Sequence, residues 1–286
     1  MNKYLISLLA IFVLLVSACS SQDAGESSHP TTLRFADTGI EGMEELNRTF
    51  GAFAEAMEEK LDIEIEFFPV SNRTAAVNAL QHGQVDIVLA GPSEYVAMAS
   101  RLDVKKLVGI ERAEYGTAFV VPMDSPARTL QDLKGKRIAM KDPGSTTGHI
   151  TPSWMLHEAG FDLDRDAEIL LLDGARLEAL INGDVHALGS GVRDFRRIEQ
   201  RAPGQFRILA ESDTMPRDVF VARASLADDY LAAIREVIMT NSDELMQAIL
   251  APGEREKYRN SRFVDDLTEE EYDVVRQAYA LLGFDI

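Results

Sequence analysis

The chain has 286 residues, a formal charge of −18, 47 acidic against 29 basic side chains, and a single cysteine. An acidic excess with no basic stripe excludes a nucleic-acid partner, and one thiol excludes a disulfide framework or a Cys-ligated metal. A small anionic ligand stays open, because surface charge is screened over roughly 8–10 Å while a closed cleft obeys the groups lining it.

Lys3 precedes an apolar stretch, Tyr4 to Val16, interrupted only by Ser7. A bilayer-spanning helix needs about 20 residues, so this shorter run, followed by small residues, reads as an export signal over residues 1–18. Val16-Ser17-Ala18-Cys19 resembles the lipobox of bacterial lipoproteins. That resemblance implies a lipid on Cys19, hence an exported periplasmic or cell-surface protein held to a membrane. Residues 19–32 are polar and read as a flexible tether. About 250 residues remain, enough for one large core or two smaller ones.

Beyond the tether, short apolar runs alternate with helical patterns. Leu33 to Ala36 is a strand, then Met43, Leu46, Phe50, Phe53, Met57 and Leu61 mark one helix face. Ile63, Ile65 and Phe67 alternate with glutamates as a half-exposed strand; a helix covers 72–81, and Val85 to Ala90 is a buried strand. Further strands are expected at 107–110, 117–121, 137–140, 169–172, 185–188, 206–209 and 219–222, with late helices over 230–250 and 269–282. This alternation predicts an α/β fold with mostly parallel sheets flanked by helices.

An internal repeat divides it. NALQHGQVDIVLAG (78–91) and EALINGDVHALGSG (178–191) share Ala, Leu, Gly, Val and a final Gly at an offset of 100. Each copy is a helix end, a C′ glycine, a strand and a terminal glycine, which predicts two similar lobes with chemistry at their strand ends. The lobes are expected at 33–121 and 122–213, with 214–286 returning to the first. Hinge crossings are expected near Val121–Asp124 and Ser212–Pro216.

The strongest site candidate is Lys141-Asp142-Pro143-Gly144-Ser145-Thr146-Thr147-Gly148-His149, after a strand and opening a helix. A helix start supplies orphaned N–H groups and a favourable dipole for an anion, and three hydroxyls reinforce them. Pro152 in the helix's first turns removes a backbone bond there. A second candidate is Gly91-Pro92-Ser93-Glu94-Tyr95, whose phenol is a potential donor. A third is the turn Ser71-Asn72-Arg73-Thr74, where Arg73 is a potential fork for an oxyanion.

Taken together these motifs resemble the phosphate/phosphite/phosphonate-binding proteins of ABC importers, over about Leu33 to Leu250. The carriers include Gly91-Pro92-x-x-Tyr95, Tyr115-Gly116, Leu133-Lys134-Gly135-Lys136, Asp142 to Gly148 with Pro152, and Met215-Pro216-Arg217-Asp218. The resemblance implies the two-lobed type II periplasmic-binding-protein fold, with no cofactor and no metal. It assigns Tyr95, Ser145, Thr146 and Thr147 to the ligand's oxygens; Ser93 and Gly148 complete the expected set. It also implies permease and ATPase subunits as partners, and a monomer. Three positions depart from the family pattern: Arg73 replaces a tyrosine, Asp173 a ligand histidine, and His186 the aspartate of the second G-x-V-D. Asp173, if in the cleft, would accept from a P–OH group. A sulfonate or other anion as cargo, and a sensing lobe for a membrane kinase, are the alternatives. An enzyme is the remaining one, though no H-E-x-x-H, P-loop, G-x-S-x-G or dinucleotide fingerprint is present.

Overall fold

The computed structural model describes residues 27–39, 42–250 and 256–283. The expected signal, Cys19 and residues 19–26 of the tether lie outside the described residues. The expected tether ends earlier than residue 32. Residues 27–30 dock onto the start of a later helix: the Ala227 N–H donates to the Ser28 carbonyl at 3.0 Å and the Tyr230 hydroxyl to the Pro30 carbonyl at 2.9 Å.

Two sheets organise the chain. The first contains β1 (Thr32–Asp37), β2 (Glu64–Phe67), β3 (Ile87–Ala90), β4 (Val104–Glu111), β10 (Asp218–Arg223) and β11 (Arg262–Val264), in the order β11-β4-β10-β3-β1-β2. The second contains β5 (Thr117–Pro122), β6 (Arg137–Met140), β7 (Glu168–Leu171), β8 (Ala187–Gly191) and β9 (Phe206–Glu211), in the order β7-β6-β8-β5-β9. Apart from edge strand β11, the two orders are the same. β1 runs parallel to β2 and β3, and β6 runs parallel to β7 and β8. The strands that carry the chain between lobes enter from the opposite end, so β10 is antiparallel to β3 and β4, and β5 to β8 and β9. The sheets are therefore mixed rather than mostly parallel.

The first crossing also moves. β4 belongs to the first sheet and β5 to the second, so the chain changes lobe at residues 112–116, not at 121–124. The second change, from β9 to β10, runs through residues 212–217.

Helix α1 (Met43–Leu61) buries Leu46, Phe50, Phe53 and Met57 on one face and ends at Asp62 in the left-handed conformation. α2 (Arg73–Gln81) is capped by Asn72, whose side chain accepts from the Ala75 N–H at 2.9 Å, and α3 spans Pro92–Ala99. α4 (Thr151–Glu158), α5 (Arg176–Ile181) and α6 (Val192–Arg201) belong to the second lobe. The expected 230–250 helix is two, α7 (Asp228–Thr240) and α8 (Ser242–Leu250), parted at Asn241; α9 spans Asp273–Leu282. On one face of the first sheet, Phe35, Phe50, Phe53, Phe220 and Phe263 share a cluster with α1, α7 and α8. On the other face, α2, α3 and α9 share a cluster that also takes in Ile150 and Trp154 from the second lobe.

The repeat is structural. Gly83 and Gly183, with φ of 61° and 79°, end α2 and α5 where only glycine sits without strain. Asp86 and His186 do the same job in each copy. The Asp86 N–H donates to the Arg34 carbonyl while its carboxylate accepts the Arg34 N–H, and the His186 N–H donates to the Arg137 carbonyl while its ring accepts the Arg137 N–H. The departure at His186 is thus a substitution just before β8, at the strand's amino end.

Candidate functional site

Carboxyl ends of parallel strands from both sheets converge on a cleft of about 250 Å³. Thr38 and Gly39 follow β1, Gly91 follows β3, Lys141 follows β6, and Ser190 and Gly191 close β8; all line it.

Residues 145–148 form one wall, and Pro152 explains their shape. Lacking an N–H, Pro152 cannot bond back to the carbonyls of the preceding turn. The Gly148 carbonyl instead accepts the Lys141 N–H at 2.8 Å, and the Thr147 carbonyl accepts the Thr117 hydroxyl at 2.9 Å. Thr146–Ile150 winds as a π-helical turn, a wider coil in which the His149 and Ile150 N–H groups both return to the Ser145 carbonyl at 2.9 Å. The N–H groups of Thr146, Thr147 and Gly148 and the hydroxyls of Ser145 and Thr147 have no partner among the described residues. They are donors kept in reserve.

The terminal glycines of the repeat flank this wall from either lobe. A Cβ on Gly91 would lie 3.4 Å from Thr146 Oγ1, and one on Gly191 would lie 3.1 Å from Thr147 Oγ1. Thr146 itself turns to the first lobe: its Oγ1 accepts the Ser93 N–H at 3.1 Å and lies 2.7 Å from Ser93 Oγ.

Seven lining side chains are cationic (Arg73, Arg112, Lys141, Arg176, Arg193, Arg197 and Lys257) against four carboxylates, Glu45, Glu94, Asp194 and Asp218. In a chain of charge −18 this inversion is local and specific. Asp218 is fully buried; burial alone would raise its pKa, but Lys257 and Arg112 more than reverse that and keep it ionised. Asp194 behaves alike, with Arg176 and the Ser190 hydroxyl overcoming its burial. Lys141 is pushed down by burial and by Arg73. Arg193 is pushed down to about 10, first by burial and then by Arg112 and Arg197.

The structure sorts the predicted residues. Ser145, Thr146, Thr147, Gly148 and Arg73 line the cleft. Arg73 is held there by Glu94 and by Asp142, whose Oδ2 accepts its Nε at 2.6 Å. Three do not line it. Tyr95 is turned away: its ring packs on Tyr272 at 4.5 Å and its hydroxyl donates to Glu269 at 2.6 Å. Ser93 lies behind the wall, its Oγ 2.6 Å from the Gly144 carbonyl. Asp173 points to solvent, with its side chain 57% exposed and 3.8 Å from Lys141, so it offers no acceptor to a P–OH inside. Among the residues that sequence reasoning missed are Arg112, Tyr115, Arg193 and Asp218. Tyr115 and Asp218 stand in the motifs that carried the resemblance; Arg193 lies in an amphipathic helix whose apolar positions, Val192, Phe195 and Ile198, announce packing and not a site.

Fold and site define a two-lobed binding protein with a cationic cleft for a small anion. The chain belongs to the phosphonate periplasmic substrate-binding proteins of ABC transporters, matching that family over residues 40–265. It is 24% identical to the phosphate-import protein PhnD of Mycolicibacterium smegmatis, over 96% of this chain and 94% of that one. Its fold is similar to PhnD1 of Prochlorococcus marinus, solved with methylphosphonate, at a TM-score of 0.72, 18% identity, and coverage of 89% and 99%. The aliphatic sulphonate binding protein SsuA of Escherichia coli shares the fold at a TM-score of 0.64, 16% identity, and coverage of 89% and 92%.

Proposed function

We propose that this protein captures a small phosphorus oxyanion (phosphonate, phosphite or phosphate) between its lobes and delivers it to an ABC permease, while a lipid on Cys19 holds it to the membrane. The observation that carries the reading is the set of unspent donors at residues 145–148 facing a cleft with surplus positive charge.

The magnitudes favour a charged guest. Four or five hydrogen bonds to a charged group supply roughly 1.5–3 kcal/mol each, about 6–15 kcal/mol before the costs of immobilising ligand and lobes. Micromolar capture needs about 8 kcal/mol net. Neutral bonds at about 1 kcal/mol each fall short.

A thermal-shift panel of phosphate, phosphite, methylphosphonate, sulfate and methanesulfonate tests it. A phosphorus ligand at 100 times its dissociation constant should add about 2.7 kcal/mol of stability. Stabilisation by methanesulfonate alone would move the assignment to a sulfonate, and stabilisation by none of them would overturn it. For the anchor, Cys19→Ser should release the protein from the membrane fraction; retention there would count against lipidation.

A further inference from the structure

The loop that presents the 146–148 amides is closed from behind by a ring nitrogen: the Gly144 N–H donates to His149 Nδ1 at 3.2 Å. Gly144 is where this loop meets the first lobe. Its carbonyl lies 2.6 Å from Ser93 Oγ, and a Cβ on it would lie 3.6 Å from Arg73 Cδ. With a φ of 81° it occupies backbone space that suits glycine, so bonds, and not a side chain of its own, must keep it in place. The neighbouring bonds are backbone to backbone: the Ser145 N–H donates to the Asp142 carbonyl at 3.3 Å, and the His149 N–H to the Ser145 carbonyl at 2.9 Å. The bond from Gly144 ends on a group that titrates.

A ring nitrogen accepts only when it carries no proton, so His149 is neutral in this arrangement, with its proton on Nε2. Protonating Nδ1 sets one N–H against another and leaves the Gly144 amide without its acceptor, which costs more than the bond contributed. The ring also lines a groove outside the cleft, with Ser153 and His157 of α4, Asp162 and Asp164 beyond it, and Leu281 of α9. A proton therefore reaches it without passing through the ligand's cleft. Asp142 is the charge that acts on the ring and favours its protonation, but burial outweighs it and holds His149 below the ordinary histidine value. Asp142 is itself engaged by Arg73 and Lys141. Across the groove stand His157 and a loop in which Asp162 pairs with Arg165 and Asp166 with Lys134, while α9 presents leucines.

We propose that His149 is a positioning residue for the anion wall and its proton switch: neutral, it holds the 144–148 loop in binding shape, and protonated, it lets loop and anion go. This deepens the head-group reading above and rests on it. Capture is favoured at neutral pH and above, release in mild acid. An imidazolium that served the anion as one more cation would give the opposite sign, tighter binding in acid.

Calorimetric titration of methylphosphonate into wild type, His149→Asn and His149→Phe, in steps from about pH 8 to about pH 4.5, tests it. Asparagine sets an acceptor where Nδ1 stands and does not titrate; phenylalanine keeps a ring and removes the acceptor. At the alkaline end the asparagine variant should bind within about threefold of wild type, and the phenylalanine variant about tenfold more weakly. Towards the acid end wild type should lose about tenfold more affinity than the asparagine variant; the ligand's own titration is common to both and cancels in the ratio. Parallel losses, a smaller loss in wild type, or a phenylalanine variant that binds like wild type at the alkaline end would each overturn the proposal. Melts of the ligand-free proteins give a second reading. A histidine lowered in the folded state contributes stability that is lost as pH falls from its unfolded value, about 6.5, to its folded one, so wild type should lose melting temperature relative to His149→Asn over that range. A constant gap would also overturn the switch. If methylphosphonate binds none of the three, the head-group reading has failed, and the melts alone decide whether His149 titrates as described.

Discussion

Buried charges in this molecule do two different jobs, and Asp86 shows the structural one. Its carboxylate has no exposure and is bonded by Arg34 through both Nε and Nη2 at 2.9 Å, and by Arg223 Nε at 2.7 Å. Burial alone would raise its pKa, but the bonds from Arg34 and Arg223 outweigh burial and hold it below the ordinary carboxylate value. A carboxylate depressed in the folded state contributes stability that is fully present above its unfolded pKa, about 4, and is lost as pH falls below that through the folded value. Asp86→Asn should lower stability at neutral pH by about 3–5 kcal/mol, the usual result of breaking a buried pair from one side, and flatten that part of the acid-unfolding curve. Affinity for methylphosphonate in the folded variant should not change, because Asp86 is remote from the cleft. Denaturant melts at neutral and acid pH, with one titration, check all three. Arg193 is the opposite kind of charge: it lines the cleft and makes no hydrogen bond or ion pair among the described residues.

At the scale of elements, the wall at 145–148 owes its form to two small features, Pro152 and Gly148. A Cβ on Gly148 would sit 2.5 Å from the Lys141 Cβ, too close for either atom to keep its place. Gly148→Ala should therefore cost about 1–3 kcal/mol of stability, as overpacking does, and weaken ligand binding by about tenfold or more as the amides move. Native-like stability with full affinity, measured by melt and calorimetry, would show that the wall tolerates the shift. This part of the protein was legible in sequence because it depends on local chemistry: a strand, small residues, a run of hydroxyls and a misplaced proline. The repeat glycines and the amphipathic rhythm of α1 were legible for the same reason. Tyr95 was misread because a tyrosine four residues past a strand-end glycine lies on whichever helix face packing selects; Tyr272 and Glu269, far along the chain, settled it. The first hinge crossing was misplaced because β5 reads as an ordinary apolar strand, and nothing local records which sheet it joins. α6 went unseen although Val192, Phe195 and Ile198 repeat at helical spacing, and in sequence its cleft-lining arginine looks like any solvated one.

Across the whole molecule, the lobes meet through polar and apolar ties. Arg73 of the first lobe holds Asp142 of the second, Ser93 meets Thr146, and Ile150 with Trp154 packs against α9 beside Val275, Ala278 and Tyr279. Any opening by rotation about 112–116 and 212–217 must slide or part these contacts, which is the small shear expected of packed helices. The chain has one tryptophan, and it sits at this seam. Trp154 is a native reporter of lobe motion.

Titrating methylphosphonate into wild type and Thr147→Val, followed by Trp154 emission and by calorimetry on the same samples, asks at once where the anion sits and whether the lobes move around it. Wild type should give a saturating emission change that tracks the heat, with Thr147→Val weaker by about tenfold or more for the loss of one hydroxyl donor. Heat without any change in emission, or a valine variant that binds as tightly as wild type, would contradict capture of the anion by residues 145–148 at the junction of the lobes.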